Sequence, residues 1–271
     1  ISNISFLLAL IFLFELLSID FSKNIAFMTI LVLLVFPTSF YFGALYNESL
    51  FLLLSVLSFY FARKKRWFLS SIFGAVASAT RVFGILLLPA LLIEAYTQKE
   101  KFSKVFWLFL ISLGLGGYML YQYLFFGDPL AFYNLQTIVG EQHQKRIILL
   151  PQVYFRYIKM ILTVNLQNPI YQTILLEFII GLLFFILPII GYFKKIRYSY
   201  LFYAMLGFLL PTIQGSFSSV PRYIIILFPS FLVLALLINS LPKVYKILYI
   251  FLSITILIIE TTLFLRGYWV A

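Results

Sequence analysis

Apolar runs follow one another along this chain with breaks of only a few residues, and those breaks carry most of its cations. A span of a bilayer needs roughly 20 apolar residues, fewer if it is short or re-entrant. Ten runs qualify as candidates: Asn3–Ile19, Ile25–Tyr41, Leu45–Ala62, Trp67–Thr80, Val82–Tyr96, Val105–Phe125, Thr173–Phe193, Tyr200–Gln214, Tyr223–Asn239 and Ile247–Phe264. Lipid cannot satisfy open backbone groups, and no alternating barrel pattern is present, so each run is expected to be helical. The predicted fold is all-α: a polytopic membrane domain of about ten helices covering residues 1–271.

Composition agrees with that pattern. The chain is 63% hydrophobic and only 11% charged, far from the near-half apolar, quarter-charged make-up of a soluble domain. Absence of cysteine removes disulfide and thiol chemistry, and a single histidine argues against a zinc site; no cofactor is expected, and metal dependence is left open by Glu48 and Asp128. The net charge of +11 is spread over short clusters at span ends, which is how loops at a membrane edge look and not how a nucleic-acid face looks. No glycine-rich phosphate loop is present, so no nucleotide site is expected. The first residue is Ile1 rather than methionine, which reads as a fragment of a longer membrane protein.

The cations orient the domain. If ten spans alternate, Lys23, Arg63 to Arg66, Lys99, Lys101, Lys104, Lys194, Lys195, Arg197, Lys243 and Lys246 share one side, which is 13 of the 20 basic residues and therefore the cytoplasmic one. The alternation requires the chain to turn back at Arg81, between two short helices. One long loop, residues 126–172, falls outside. Within it "LLPQVYFRYIKMILTV" places Tyr154, Tyr157, Ile158 and Ile161 together at helical spacing, with Gln152, Arg156 and Lys159 elsewhere, and reads as an amphipathic helix lying in the outer interface. The inner face is expected to hold mostly lysine.

The outer side collects the candidate site residues. Glu48, in "YNES", is either a helix-start acid with Asn47 as cap, or a carboxylate that binds or deprotonates a sugar hydroxyl. Arg81 sits at membrane depth between two short helices, where a planar cation suits a phosphate. Arg222 follows Pro221 at the start of a span, against the helix dipole, and again suggests anion binding; Gln214, Ser216, Ser218 and Ser219 would add hydrogen bonds. Asp128, between Gly127 and Pro129, reads as a helix cap with a possible substrate role. His143, in "EQHQKR", is either a solvated loop residue or a carbohydrate contact. Glu15, Glu177 and Glu260 stand alone in apolar surroundings and have no partner legible in the sequence.

The segment from Phe36 to Glu94 resembles the class V family of GPI mannosyltransferases and its bacterial relatives, multi-spanning glycosyltransferases of the GT-C fold. The resemblance rests on Phe36-Pro37-Thr38-Ser39, on Tyr46-Asn47-Glu48-Ser49-Leu50-Phe51, on the basic turn before Trp67, and on Thr80-Arg81 with Gly84; "FGDPLAF" and "PRYIIILFP" continue it. It implies a polyprenyl-phosphate sugar donor, a mannose-like hexose, a glycan or glycolipid acceptor at the outer face of a bacterial plasma membrane, and inversion at the sugar carbon. On that reading Arg81 and Arg222 hold the donor phosphate, Asn47, Asp128, His143 and Gln214 line the substrate, and Glu48 is the catalytic acid in sight. The family's usual acidic motif, in the first outer loop, would lie upstream of Ile1. The rival expectations are a lipid-linked sugar transporter or flippase, which would show repeated or broken halves, and a scaffold subunit without activity.

Overall fold

The structure, a computed structural model, describes residues 1–134, 148–168 and 170–270. Those residues form helices and turns: α1 (Ser2–Leu17), α2 (Lys23–Leu34), α3 (Glu48–Arg63), α4 (Trp67–Thr80), α5 (Leu87–Thr97), α6 (Phe102–Phe126), α7 (Leu150–Thr163), α8 (Ile170–Phe193), α9 (Tyr198–Thr212), α10 (Phe228–Asn239) and α11 (Lys243–Leu265). Short helical turns cover Ser39–Phe42, Val82–Leu86, Ala131–Asn134, Val220–Tyr223 and Ile224–Ile226.

Two elements make the centre. α3 buries twelve side chains from Glu48 to Ala62, and α10 buries an unbroken stretch from Phe228 to Ala235. A helix apolar on all sides belongs either in a core or in lipid. These two are enclosed by protein: α1 and α4 flank α3, while α2, α8 and α9 flank α10. Around them α6, α8 and α11 are each long and apolar enough to cross a membrane, and large side chains such as Leu124, Phe251 and Ile258 point away from the protein. Lipid is the solvent that would cover such a surface.

Small residues bring α4 close to its neighbours. Ser58 and Ser70 exchange hydroxyl-to-carbonyl bonds of 2.8 Å across α3 and α4. Ser78 Oγ donates to the Ile111 carbonyl at 2.5 Å, and Gly114 packs so tightly on α4 that a Cβ there would meet the Ala75 carbonyl. Small residues and hydroxyls substitute for hydrophobic drive where both sides are apolar.

The chain breaks the expected runs at two points and turns at Arg81 as expected. α2 ends at Leu34 rather than Tyr41, because Pro37 cannot continue it and Phe36 to Asn47 fold into turns. α4 ends at Arg81, whose backbone is extended, so Val82–Thr97 is a separate arm as the sequence suggested. The run Tyr223–Asn239, expected as one span, instead bends by 88° at Leu227, between Val220–Ile226 and α10. Arg222 is consequently not at the start of a long helix: it lies within the one-turn helix Val220–Tyr223 before that bend. Among the described residues three helices qualify as spans by length and composition, four with the bent pair, and α1, α2, α4 and Val82–Thr97 are shorter apolar helices.

The amphipathic helix forms as α7, docked on α8 and on the turn after α9. Its buried face is Val153 and Tyr157, flanked by Tyr154 and Ile161; Ile158, expected on that face, is 47% exposed. The reason is the footprint of α8. Tyr154 donates to the Gly181 carbonyl and Tyr157 to Glu177, and these two bonds rotate the helix so that Phe155, Ile158 and Leu162 face outward.

Candidate functional site

Three charged side chains from distant parts of the chain meet at the start of α3. Glu48, the first residue of α3, is fully buried. Its Oε1 lies 2.7 Å from Arg222 Nε, which donates to it, and 2.9 Å from Arg81 Nη1. Arg81 comes from the break after α4, and Arg222 from the short helix before the 88° bend. The break at Arg81 and the bend at Leu227 are therefore what aim both guanidiniums at one carboxylate.

Asn47 completes the junction. It was expected to cap α3, but its side chain makes no cap bond. Instead its Oδ1 accepts from Arg81 Nη1 at 3.2 Å and its Nδ2 donates to the Thr80 carbonyl at 3.0 Å. A charged donor outcompetes a neutral backbone amide for the amide oxygen. The turn of Phe36 to Asn47 is pinned to the same place. Thr38 Oγ1 donates to the Pro221 carbonyl at 2.6 Å, next to Arg222, and Ser49 Oγ donates to the Phe42 carbonyl at 2.6 Å. The two short motifs "FPTS" and "PRY" are thus bonded to each other.

Aromatic faces wall the cations. The Arg222 guanidinium carbon lies 3.8 Å from the centre of the Tyr46 ring and 5.3 Å from that of Tyr41. Arg81 stands 5.6 Å from both Phe83 and Tyr223. Such contacts favour a desolvated cation. Two arginines against one carboxylate leave one net positive charge. Among the described residues, neither Nη of Arg222 and neither Nε nor Nη2 of Arg81 donates to a protein group. The cluster therefore carries one net positive charge and unspent guanidinium donors. Glu48 Oε1 is shared by both arginines, while its Oε2 is buried with no hydrogen-bond partner among the described residues.

The opposite end of α3 carries a second network, where mostly lysine was expected. Glu94 Oε1 pairs with Arg63 and Arg197 at 3.1 Å each, and its Oε2 accepts from Ser199 at 2.5 Å. Asp20 takes the other arms, at 2.6 Å from Arg63 and 2.9 Å from Arg197, and Gln98 adds a bond of 2.7 Å to Glu94. This four-charge set is neutral and joins the ends of α1, α3 and α5 to the start of α9. Asp20 and Glu94 went unnoticed because each looks like an ordinary helix-end acid; the only sequence signal was that both sit among cationic breaks.

The remaining candidates lie elsewhere. Asp128 accepts from Leu130 N at 2.9 Å and from Asn134 Nδ2 at 2.7 Å, so it organises its own turn, as its capping reading anticipated. Gln214 lies in the turn between α9 and Val220–Tyr223, where the Gly215 carbonyl accepts from Arg156 at 3.1 Å. His143 falls outside the described residues. Glu177 is partnered: Tyr157 donates to its Oε2 at 2.5 Å, and Ser216 Oγ is 3.3 Å from the same hydroxyl. Burial, and after it the charge of Glu177, holds the Tyr157 hydroxyl well above the ordinary phenol range, so it acts as a donor.

Fold and site together define an all-helical protein with apolar helices long enough to span a membrane and a buried, cation-rich cluster at one end of its central helix. No family model, no curated protein and no solved structure matches the chain.

Proposed function

We propose that the chain is the membrane domain of a GT-C-type glycosyltransferase that moves a mannose-like hexose from a polyprenyl-phosphate donor to a glycan or glycolipid acceptor. The observation that supports this is the convergence of Arg81 and Arg222 on Glu48 with one positive charge and several guanidinium donors left over. A lipid phosphate is the anion that reaches such a site from within a bilayer. Its tail stays among apolar helices while its headgroup meets the cations.

On this reading the domain is a ten-helix GT-C arrangement in a bacterial plasma membrane, with the Glu48 end facing outward. The short helices α1, α2, α4 and Val82–Thr97 would count with the longer spans. The two guanidiniums stabilise the charge that builds on the phosphate as the bond to the sugar breaks, and Glu48 keeps them aligned. Asn47 holds Arg81 in place from the other side.

The test is transfer of labelled sugar from a polyprenyl-phosphate donor in proteoliposomes. Arg81→Ala and Arg222→Ala should each lower the rate by about 10²–10³-fold, the loss typical of one donor to developing negative charge. Wild-type rates in both variants would refute the phosphate assignment.

A further inference from the structure

We infer that the groove between the start of α4 and the first turn of α6 holds the phosphate headgroup of an anionic phospholipid. The inference is independent of the glycosyltransferase reading. It concerns the end of α3 opposite Glu48 and needs only a bilayer around the apolar helices.

The groove has a volume of about 400 Å³ and is lined by Lys65, Arg66 and Lys104 together with Ser103, Trp67 and Trp107. Glu100 takes part of this charge, at 3.2 Å from Lys65 and 3.5 Å from Lys104. Three cations against one carboxylate leave two positive charges. Nearby Arg63 is spent on Asp20 and Glu94, whereas Arg66 is exposed and its side chain has no partner among the described residues.

Two further features fit a group with several anionic oxygens. α4 starts at Trp67 with no side chain capping its first amides, and Trp67, Phe68 and Leu69, which carry those amides, all line the groove. Free N–H groups and the positive end of the helix dipole suit a phosphate. Trp67 itself is only 3% exposed, and its indole nitrogen is buried without a hydrogen-bond partner. A buried donor left open in a groove wall calls for a group from outside the protein.

The surroundings select a lipid over a soluble anion. Trp107 packs edge-on against Phe68 with ring centres 4.9 Å apart, and both rings remain partly exposed. Ile72 further along α4, and Phe106 and Phe109 on α6, add exposed apolar side chains beside the groove. A free phosphate would meet only the cations and amides. A phospholipid also lays its acyl chains on the apolar side chains, with tryptophan at the boundary between headgroup and tail.

Fluorescence quenching tests this, because Trp67 and Trp107 share the chain with only one other tryptophan, Trp269. The Trp269→Phe protein is reconstituted in mixed vesicles of phosphatidylcholine and phosphatidylglycerol, with bromine on the acyl chains of one lipid or the other. Quenching should show phosphatidylglycerol preferred by about fivefold or more, the factor one cation supplies at a membrane surface. Arg66→Gln with Lys104→Gln, both exposed positions, should bring the ratio to about one. Lys243→Gln with Lys246→Gln removes the same charge at the start of α11 and should leave the ratio within about twofold of its starting value. Equal quenching by the two lipids, or equal loss of preference in the two double variants, would overturn the site. Loss of the preference on adding inorganic phosphate at constant ionic strength would make the ligand a free anion and overturn the lipid assignment.

Discussion

Arg222 and Glu48 lie 174 residues apart in sequence and 2.7 Å apart in the fold. That contact joins the start of α3 to the short helix before the 88° bend. Glu48, buried and shared by Arg81 and Arg222, compensates both cations, and removing it would leave the two guanidiniums without a counter-charge.

Removing Glu48 should accordingly damage both stability and function. Glu48→Gln is expected to cost about 3–5 kcal/mol, the range for breaking a buried ion pair from one side. Thermal unfolding in detergent measures it. Pairing Glu48→Gln with Arg222→Gln should cost less than the sum of the single changes, with a coupling of about 1–3 kcal/mol.

Lysine should not replace either arginine. Arg222 stacks on Tyr46 and donates through Nε, while Arg81 spans Glu48 and Asn47 from one nitrogen. A point charge on a flexible stem reproduces neither geometry. On the transferase proposal, Arg81→Lys and Arg222→Lys should lose at least about tenfold in sugar transfer, equivalent to about 1.4 kcal/mol, with membrane insertion intact by protease protection.

The network at the other end of α3 should be structural. Glu94 is fully buried and faces Arg63 and Arg197, so Glu94→Gln should destabilise by about 3–5 kcal/mol. Asp20, with its side chain 19% exposed, should cost less when changed to Asn. The order of the two midpoints in a thermal melt checks this.

Two neighbouring glycines in α6 should respond in opposite directions. A Cβ on Gly114 would meet the Ala75 carbonyl and Ser78, so Gly114→Ala should destabilise by about 1–3 kcal/mol through overpacking. Gly116 has open space around it, and Gly116→Ala should stabilise by about 0.5–1 kcal/mol through helix propensity. Thermal melts of the two variants separate close approach from general sensitivity of α6.

Tyr157→Phe should loosen α7. It deletes the 2.5 Å bond to Glu177 and leaves that carboxylate buried, a cost of about 1–3 kcal/mol. Faster proteolysis in Leu150–Thr163 than in wild type is the expected signature.

Much of the helix content was legible without coordinates. α4, α8 and α11 match the apolar runs within a few residues, since a run with no polar break has only one way to satisfy its backbone in lipid. The turn at Arg81 was visible as a cation between two short runs. The bend at Leu227 was not, because Ile224, Ile225 and Ile226 continue the apolar pattern smoothly and only burial by neighbouring helices lets the backbone turn there. Likewise Arg81 and Arg222 stood out singly as costly charges, and Glu48 stood out as an acid in a break without lysine. Their meeting depends on the bond from Thr38 to Pro221 and on the two breaks.

Local composition therefore determined the solvent, the helices and which charges were worth attention, since hydropathy and backbone satisfaction act over a single run of residues. Tertiary structure alone decided which charges neutralise each other and which are left over. Arg81, Arg222 and Glu48 sum to one positive charge, Asp20, Glu94, Arg63 and Arg197 sum to zero, and among the described residues Glu15 and Glu260 have no ion pair. Coulomb energy in a desolvated interior depends on distances of a few ångströms, and such distances between remote residues are set by how helices pack and where they break.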